Sequence, residues 1–270
     1  LKIWYTRDSG ANYVELIAST PAEDNDPLAN KGAYLWTIPT NPASGDYITR
    51  VNTGEISKIK IEDVDSTFKA WVYHTSSDFI VKGRLRIIAP SSATLSAGLN
   101  CATYYTITWE RDGRINAVNV KYATDGVNYS NTIETARTFA DNSTLQQSTT
   151  QQWKLPENIG TQYKLLVEDD NYEKVGTDGA YAESANFRVK GALSVTLPNT
   201  QVIWSITDTG RTIKWNVLHG NIANVKIIAS ASGFTTPSDE YEIIAQTQAD
   251  NEAIFNVLNT PVAKGNYDWT

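Results

Sequence analysis

One cysteine, two histidines and no methionine occur in 270 residues, and these shortages exclude a good deal of chemistry. With Cys101 alone no intrachain disulfide can form, so stability has to come from hydrophobic cores. Cys101 itself reads as a small buried hydrophobe or a surface thiol, not a nucleophile. A Ser-His-Asp hydrolase needs a histidine beside a nucleophile elbow. His74 and His219 lie far apart, one at a strand end and one in the turn Leu218-His219-Gly220, and neither accompanies such a motif. Zinc sites need clustered His or Cys, and phosphate sites need a glycine-rich loop; both patterns are missing. Basic residues are also short, 23 Lys and Arg against 30 Asp and Glu, for a net charge of −7. Without a basic cluster, neither nucleic acid nor an anionic membrane surface is the expected partner. No apolar run approaches the roughly 18 residues of a membrane span, so no membrane insertion is expected here. No signal peptide opens the chain, but Leu1 is not a translational start, so that says nothing about secretion.

What the sequence has is repetition. Thr106-Ile107-Thr108-Trp109 returns as Thr212-Ile213-Lys214-Trp215, and Asn119-Val120-Lys121-Tyr122 returns as Asn224-Val225-Lys226-Ile227. Ser77-Asp78-Phe79-Ile80-Val81-Lys82-Gly83 returns as Ala185-Asn186-Phe187-Arg188-Val189-Lys190-Gly191. Tyr34-Leu35-Trp36-Thr37-Ile38-Pro39 returns as Gln151-Gln152-Trp153-Lys154-Leu155-Pro156, and again around Trp269. A period of one small domain with variable loops marks an array. The expected organisation is three repeats: residues 1–83, lacking N-terminal strands; 84–191, complete; and 192–270, lacking C-terminal strands. Joints fall near Gly83 and Gly191, and because no Pro/Gly linker intervenes they should be stiff.

Within a repeat the pattern is alternation. Tyr163, Leu165 and Val167 share one face of a strand, and Phe187 and Val189 alternate with Asn186, Arg188 and Lys190. Turn chemistry separates the runs: Asp112-Gly113, Asp125-Gly126, Asp178-Gly179 and Thr209-Gly210. The middle repeat reads as strands at Ala93–Leu95 or its neighbours, Tyr105–Glu110, Asn116–Ala123, Trp153–Pro156, Tyr163–Glu168 and Ala185–Val189. The polar stretch Asn142–Gln152 reads as a solvated loop or an edge. Many short strands with regular turns and no amphipathic helix predict an all-β chain of immunoglobulin-like sandwiches.

The order T-I-x-W, N-V-K-hydrophobic, D-G, W-x-hydrophobic-P, Y-K-L-x-V-E-D and S/A-x-F-x-V is carried by Trp109, Val120, Lys121, Asp125, Trp153, Pro156, Tyr163, Val167, Glu168, Asp169 and Phe187. It resembles the Ser-Thr-rich, Kre9/Knh1-type immunoglobulin-like domain found as tandem repeats in large bacterial surface proteins. The resemblance covers the middle repeat fully and the others as far as they extend. Two departures are an insertion at Asn52–Ile56 and Ser232-Gly233 in place of the D-G turn. The resemblance implies a building block of stalks, filaments or adhesins, and an extracellular or cell-surface location.

Candidate sites are few. Paired carboxylates at strand ends, Asp63 with Asp65 and Glu168-Asp169-Asp170, could offer Ca²⁺ several oxygens or could simply close solvated turns. Asp24 with Asp26 is a similar pair. No large inserted loop offers the cleft a glycosidase needs between two carboxyls. Trp36, Trp109, Trp153, Trp215 and Trp269 repeat at equivalent positions and are expected as core anchors. Trp4, Trp71 and Trp204 do not repeat. Trp4 occupies the register of Lys121 and Lys226, an outward one, so Trp4 and Trp71 are candidates for stacking on glycan or packing on a neighbouring module or chain. Asn128 and Asn142 head glycosylation sequons.

The expected function is a non-enzymatic structural segment of a repetitive surface or filament protein, without a cofactor unless Ca²⁺ binds. The alternative is an adhesin or lectin-like array recognising glycan or protein. Its partners would be neighbouring repeats of the same polypeptide or other copies in a fibre. Continuation of the chain is the simpler completion of the outer repeats, because joining two of them whole would duplicate strands.

Overall fold

A computed structural model describes residues 1–18, 33–38, 55–65, 67–140, 146–171, 179–199, 203–205, 211–230, 233–235, 240–248 and 264–269. It is all-β and sandwich-like, with antiparallel sheets and, among the described residues, a single short helix. The first repeat contributes β1 (Lys2–Thr6), β2 (Val14–Ile17), β3 (Lys58–Glu62) and β4 (Tyr73–Thr75). The middle repeat runs β5 (Arg84–Ala89), α1 (Ser92–Ala97), β6 (Leu99–Asn100), β7 (Tyr104–Tyr105), β8 (Thr108–Asp112) and β9 (Ala117–Ala123). It continues with β10 (Asn131–Thr138), β11 (Gln146–Ser148), β12 (Trp153–Lys154), β13 (Gly160–Asp169), β14 (Tyr181–Glu183) and β15 (Phe187–Lys190). The third repeat holds β16 (Ala192–Leu197), β17 (Arg211–His219), β18 (Asn224–Ser230), β19 (Glu240–Gln248) and β20 (Lys264–Trp269).

The sequence repeats are repeats of strand pairing. In the first repeat the sheet order is β2-β1-β3-β4, and in the middle repeat β10, β9, β13 and β14 pair in the same order. Ile3 lies opposite Ile61 as Val120 lies opposite Val167. The Ser57–Phe79 bridge matches the Tyr163–Phe187 pair. The strand following each joint glycine pairs with the strand ending in the next turn: Arg84 opposite Asp112, and Ala192 opposite His219. Both of these leading strands end in a cis X-Pro bond, Ala89-Pro90 and Leu197-Pro198.

Two compact units are present. One comprises Leu1–Ser92, Thr106–Gln151 and Lys164–Ala185; the other comprises Ala93–Tyr105, Gln152–Tyr163 and Asn186–Thr270. In the first unit, Leu85, Ile107, Trp109, Val118, Val120, Leu165 and Val167 are all buried, as expected for two inward-facing β surfaces. A second cluster there centres on Tyr5 and Val81, with Leu16, Trp36, Ile59 and Phe79 packed around them. In the other unit, Leu99, Cys101, Trp153, Leu155, Tyr163, Phe187, Val189, Ile213 and Trp215 are buried.

Alternation locates the cores: Phe187 and Val189 are buried while Asn186, Arg188 and Lys190 are exposed. Of the repeated tryptophans, Trp109, Trp153 and Trp215 are buried. Trp36 is half-buried, its ring centroid 5.2 Å from that of Tyr5. The side chain of Trp269 lies outside the described residues.

One local expectation fails. Ala93–Leu95 belongs to the helix Ser92–Ala97, and the leading strand of the middle repeat is Arg84–Ala89 instead. Ser-Ala-Thr-Leu-Ser-Ala is too short to show a helical period. Leu95 is its buried residue. In the polar stretch before Trp153, β11 is an edge strand that pairs with β8 alone among the described residues; positions 142–145 lie outside them.

Candidate functional site

The same close contact is built at Gly83 and at Gly191, where the joints are expected. A Cβ placed on Gly83 would stand 2.8 Å from Ile115 Cγ1 and 2.9 Å from the carbonyl oxygen of Asp112. A Cβ on Gly191 would stand 2.8 Å from Ile222 Cδ1 and 2.9 Å from the carbonyl oxygen of His219. Each glycine thus presses its backbone on the turn of the following repeat, where any side chain would collide. The turns match as well: Asp112-Gly113-Arg114-Ile115 against His219-Gly220-Asn221-Ile222, with φ of 81° at Gly113 and 94° at Gly220. Those angles lie in the left-handed region that glycine tolerates.

Different polar groups secure the two contacts. At the first, Arg84 and Arg86 converge on Asp112 Oδ2, at 2.6 Å and 2.8 Å, and Arg86 also reaches Glu110 at 2.7 Å. Buried Arg111 donates to the Ile115 carbonyl and lies over the Phe139 ring at 3.8 Å. At the second, the loop after β12 holds the turn. The backbone N–H of Gly220 donates to Glu157 Oε2 at 2.7 Å, and that of Asn221 donates to the Glu157 carbonyl at 3.0 Å. The Asn221 side-chain amide donates to Asn158 Oδ1 at 2.9 Å. Gly220 also lies close to Cys101, whose thiol is buried and is pushed up by desolvation and by neighbouring Glu157. Cys101 is therefore a packing residue at this contact rather than an activated nucleophile.

Of the candidate calcium ligands, Asp63, Asp65, Glu168 and Asp169 make contacts within the fold. Asp63 accepts the backbone N–H of Asp65 at 2.9 Å, and Asp169 accepts that of Asn171 at 3.1 Å. These are the same turn in successive repeats, because Asp63 N–H donates to the Val72 carbonyl as Asp169 N–H donates to that of Ala180. Asp65 in turn accepts the Thr67 N–H at 2.7 Å, which holds its carboxyl below the usual range. Glu168 is buried and pairs with Lys121 at 2.6 Å, while Asp170 is exposed. Among the described residues, no group of three or more His, Cys, Asp or Glu side chains gathers as a metal site.

The outward tryptophans differ from each other. Trp4 is half-buried: its indole N–H donates to Glu62 Oε1 at 2.8 Å, and Lys2 lies over its ring at 5.6 Å. In the register of Lys121, Trp4 thus contacts the glutamate equivalent to Glu168, and Lys60 supplies the charge at 2.5 Å. Those contacts hold the Glu62 carboxyl below its ordinary value, chiefly through Lys60. Trp71 is 76% exposed and lies beside Phe68. His74, on β4, is also exposed, opposite Ile61. Asn128 is exposed, but its side-chain amide donates to Asp125 Oδ2 at 2.6 Å; Asn142 lies outside the described residues.

Two aspartates that sequence reasoning treated only as turn markers, or not at all, are strongly perturbed. Asp8 is pushed down to about 2, first by the Thr6 hydroxyl and then by Asn12. Asp125 is pushed down to about 2 by the backbone N–H groups of Asn128 and Val127 and the Asn128 amide. A carboxylate whose folded pKa lies below its unfolded value stabilises the fold fully above the unfolded value, and that contribution disappears as pH falls through the folded one. The midpoint of thermal unfolding should therefore fall between about pH 4 and pH 2. A double Asp8→Asn, Asp125→Asn variant should show a smaller acid-induced fall when its melting temperature is followed by circular dichroism.

No known family model matches the chain, and no curated protein matches it. None of the described helices is long and apolar enough to cross a membrane.

Proposed function

We propose that this chain is a structural segment of a repetitive extracellular surface, stalk or filament protein, in which immunoglobulin-like repeats set spacing rather than catalyse. The observation that carries the reading is the twice-built joint, in which Gly83 and Gly191 press on matching turns. A catalytic scaffold gains little from repeating a connection, whereas a spacer depends on each connection having the same geometry. The domain resemblance in the repeat motifs supports the same class of protein. So do cores that need no disulfide.

The test is stiffness at the second joint. Nitroxide labels at the exposed positions Tyr104 and Tyr241 should give a narrow distance distribution by pulsed electron resonance. A broad or bimodal distribution would count against a spacer. One observation favours the adhesin reading: the exposed Phe68 and Trp71 rings, their centroids 6.5 Å apart, form an aromatic surface on the β3–β4 loop. Sugar stacking would use such rings, and binding to a glycan array would separate that reading from a purely structural one.

A further inference from the structure

The two joints share their backbone contact, but the groups that secure them answer differently to pH. Asp112 and His219 stand in the same place, each lending its carbonyl to the turn on which a joint glycine presses. At the first joint the Asp112 carboxylate is held by Arg84 and Arg86, at 2.6 Å and 2.8 Å. Arginine is not deprotonated in proteins, so the cations of that contact do not titrate. At the second joint the hold passes through one residue. Glu157 Oε2 accepts the Gly220 N–H at 2.7 Å, and Glu157 Oε1 faces His219 Nδ1 at 3.9 Å. The Glu157 carbonyl accepts the Asn221 N–H at 3.0 Å, so one residue grips two successive amides of the turn. Both side chains are about half exposed, 48% for His219 and 51% for Glu157. The buried Cys101 thiol also faces Glu157; desolvation first and then Glu157 push it up, so it stays a neutral thiol near pH 7. Lysines on the adjoining strands have other partners: Lys190 Nζ donates to the Ala97 carbonyl at 3.0 Å, and Lys154 Nζ lies over the Tyr104 ring at 5.9 Å. Of these groups only a histidine ordinarily changes charge between about pH 5 and pH 8.

We propose that the second joint is a pH-sensitive clasp: protonated His219 pairs with Glu157 and firms its hold on the Gly220–Asn221 turn, and the hold slackens as His219 loses its proton. The sign follows from charge. In mild acid an imidazolium stands beside the carboxylate, fixes Oε1 and leaves Oε2 aimed at the Gly220 N–H. In mild base the imidazole is neutral, and hydrogen bonds alone anchor the carboxylate. A histidine that gains an anionic partner on folding adds stability in its charged form, and that contribution is lost as pH rises. Because both groups are half in water, the gain is that of an exposed ion pair, modest and weakened by salt. The packing of Gly191 on Ile222 and on the His219 carbonyl does not titrate, so the clasp adjusts the joint without undoing it. This rests on the structural-segment reading and gives one joint of the segment a response to its surroundings.

Exchange of backbone amides with water, followed by NMR on the 270-residue chain at low salt, at about pH 5.5 and about pH 8, tests it. After intrinsic rates are divided out, protection of the Gly220 and Asn221 N–H groups should be about twofold to fivefold higher at the lower pH, the range for a favourable exposed ion pair. The Ala102 N–H, which donates to the Leu155 carbonyl at 3.1 Å in the same compact unit, should be protected equally at both. His219→Asn and Glu157→Gln should each bring the Gly220 ratio to about one. His219→Arg should keep protection high at both pH values, as arginine keeps the first joint charged. Ala102 protection also shows that each variant has folded. A wild-type ratio of about one overturns the proposal, as does a ratio that survives in His219→Asn or Glu157→Gln. A change that Ala102 shares overturns it too, because the whole unit rather than the clasp is then responding. The nitroxide distance distribution tests the structural reading separately: a distribution broad at both pH values counts against a spacer, whatever the Gly220 amide does.

Discussion

Replacing Trp153 with alanine is expected to lower the free energy of unfolding by about 3–5 kcal/mol, the range for a buried aromatic truncated in a packed core. The strand it anchors is only two residues long and pairs with β7 through Trp153–Tyr105 and Lys154–Tyr104. So short a ladder cannot hold itself. The indole, 6% exposed, does much of the holding, alongside Leu155 at 1% and Leu99 at 1%. Nor can the surroundings easily collapse into the space it would leave. The backbone there is pinned by Leu155 N–H to the Thr103 carbonyl at 3.0 Å and Ala102 N–H to the Leu155 carbonyl at 3.1 Å. Equilibrium urea unfolding measures the loss, and a value below about 1 kcal/mol would show the ring to be peripheral. Trp71→Ala is the matched control. With 76% of that residue exposed, its removal should change stability by no more than about 0.5 kcal/mol.

The strands were legible wherever side chains alternate over a half-buried surface, because a period of two is imposed by the pleat itself. Tyr163, Leu165 and Val167 were assigned to one face on that ground, and all three are buried. Leu166 and Glu168, on the opposite face, are buried too. Alternation separates faces but does not tell which of them is covered. The leading strand Arg84–Ala89 carries the same signal, since Arg84 and Arg86 alternate with Leu85 and Ile87. Other features had no periodic signal to offer. Glu157 and Asn158 are polar loop residues, and nothing local shows that they hold a turn about 60 residues further along. The turns themselves do match in sequence, Gly113-Arg114-Ile115 against Gly220-Asn221-Ile222. The carboxylate pairs were ambiguous for a similar reason. An aspartate that closes a turn and one that binds a cation have the same sequence pattern; at Asp63 and Asp169 the structure adds that each accepts a backbone N–H.

Gly191→Ala should cost about 1–3 kcal/mol, the usual range for forcing extra volume into a packed site, and Gly191→Val should cost more. Space is the cause here, not backbone strain, because Gly191 is not among the glycines held at positive φ. The added carbon would meet Ile222 Cδ1 at 2.8 Å and the His219 carbonyl oxygen at 2.9 Å. The isoleucine can rotate away, but the carbonyl belongs to a turn held by Glu157 and Asn158 and cannot. Gly233→Ala provides the contrast: a Cβ there meets nothing within 4 Å, and only its φ of 67° resists. Stability alone does not identify Gly191 as a joint residue, since any crowded glycine would respond. The decisive readout is the nitroxide distance between positions 104 and 241 measured in the Gly191→Ala background. If the glycine sets the angle between repeats, the distribution should broaden or shift while the far-UV spectrum stays unchanged. A destabilised protein with an unchanged, narrow distribution would make Gly191 an ordinary packing position, and the stiffness of the array would then have to come from the Glu157 contact alone.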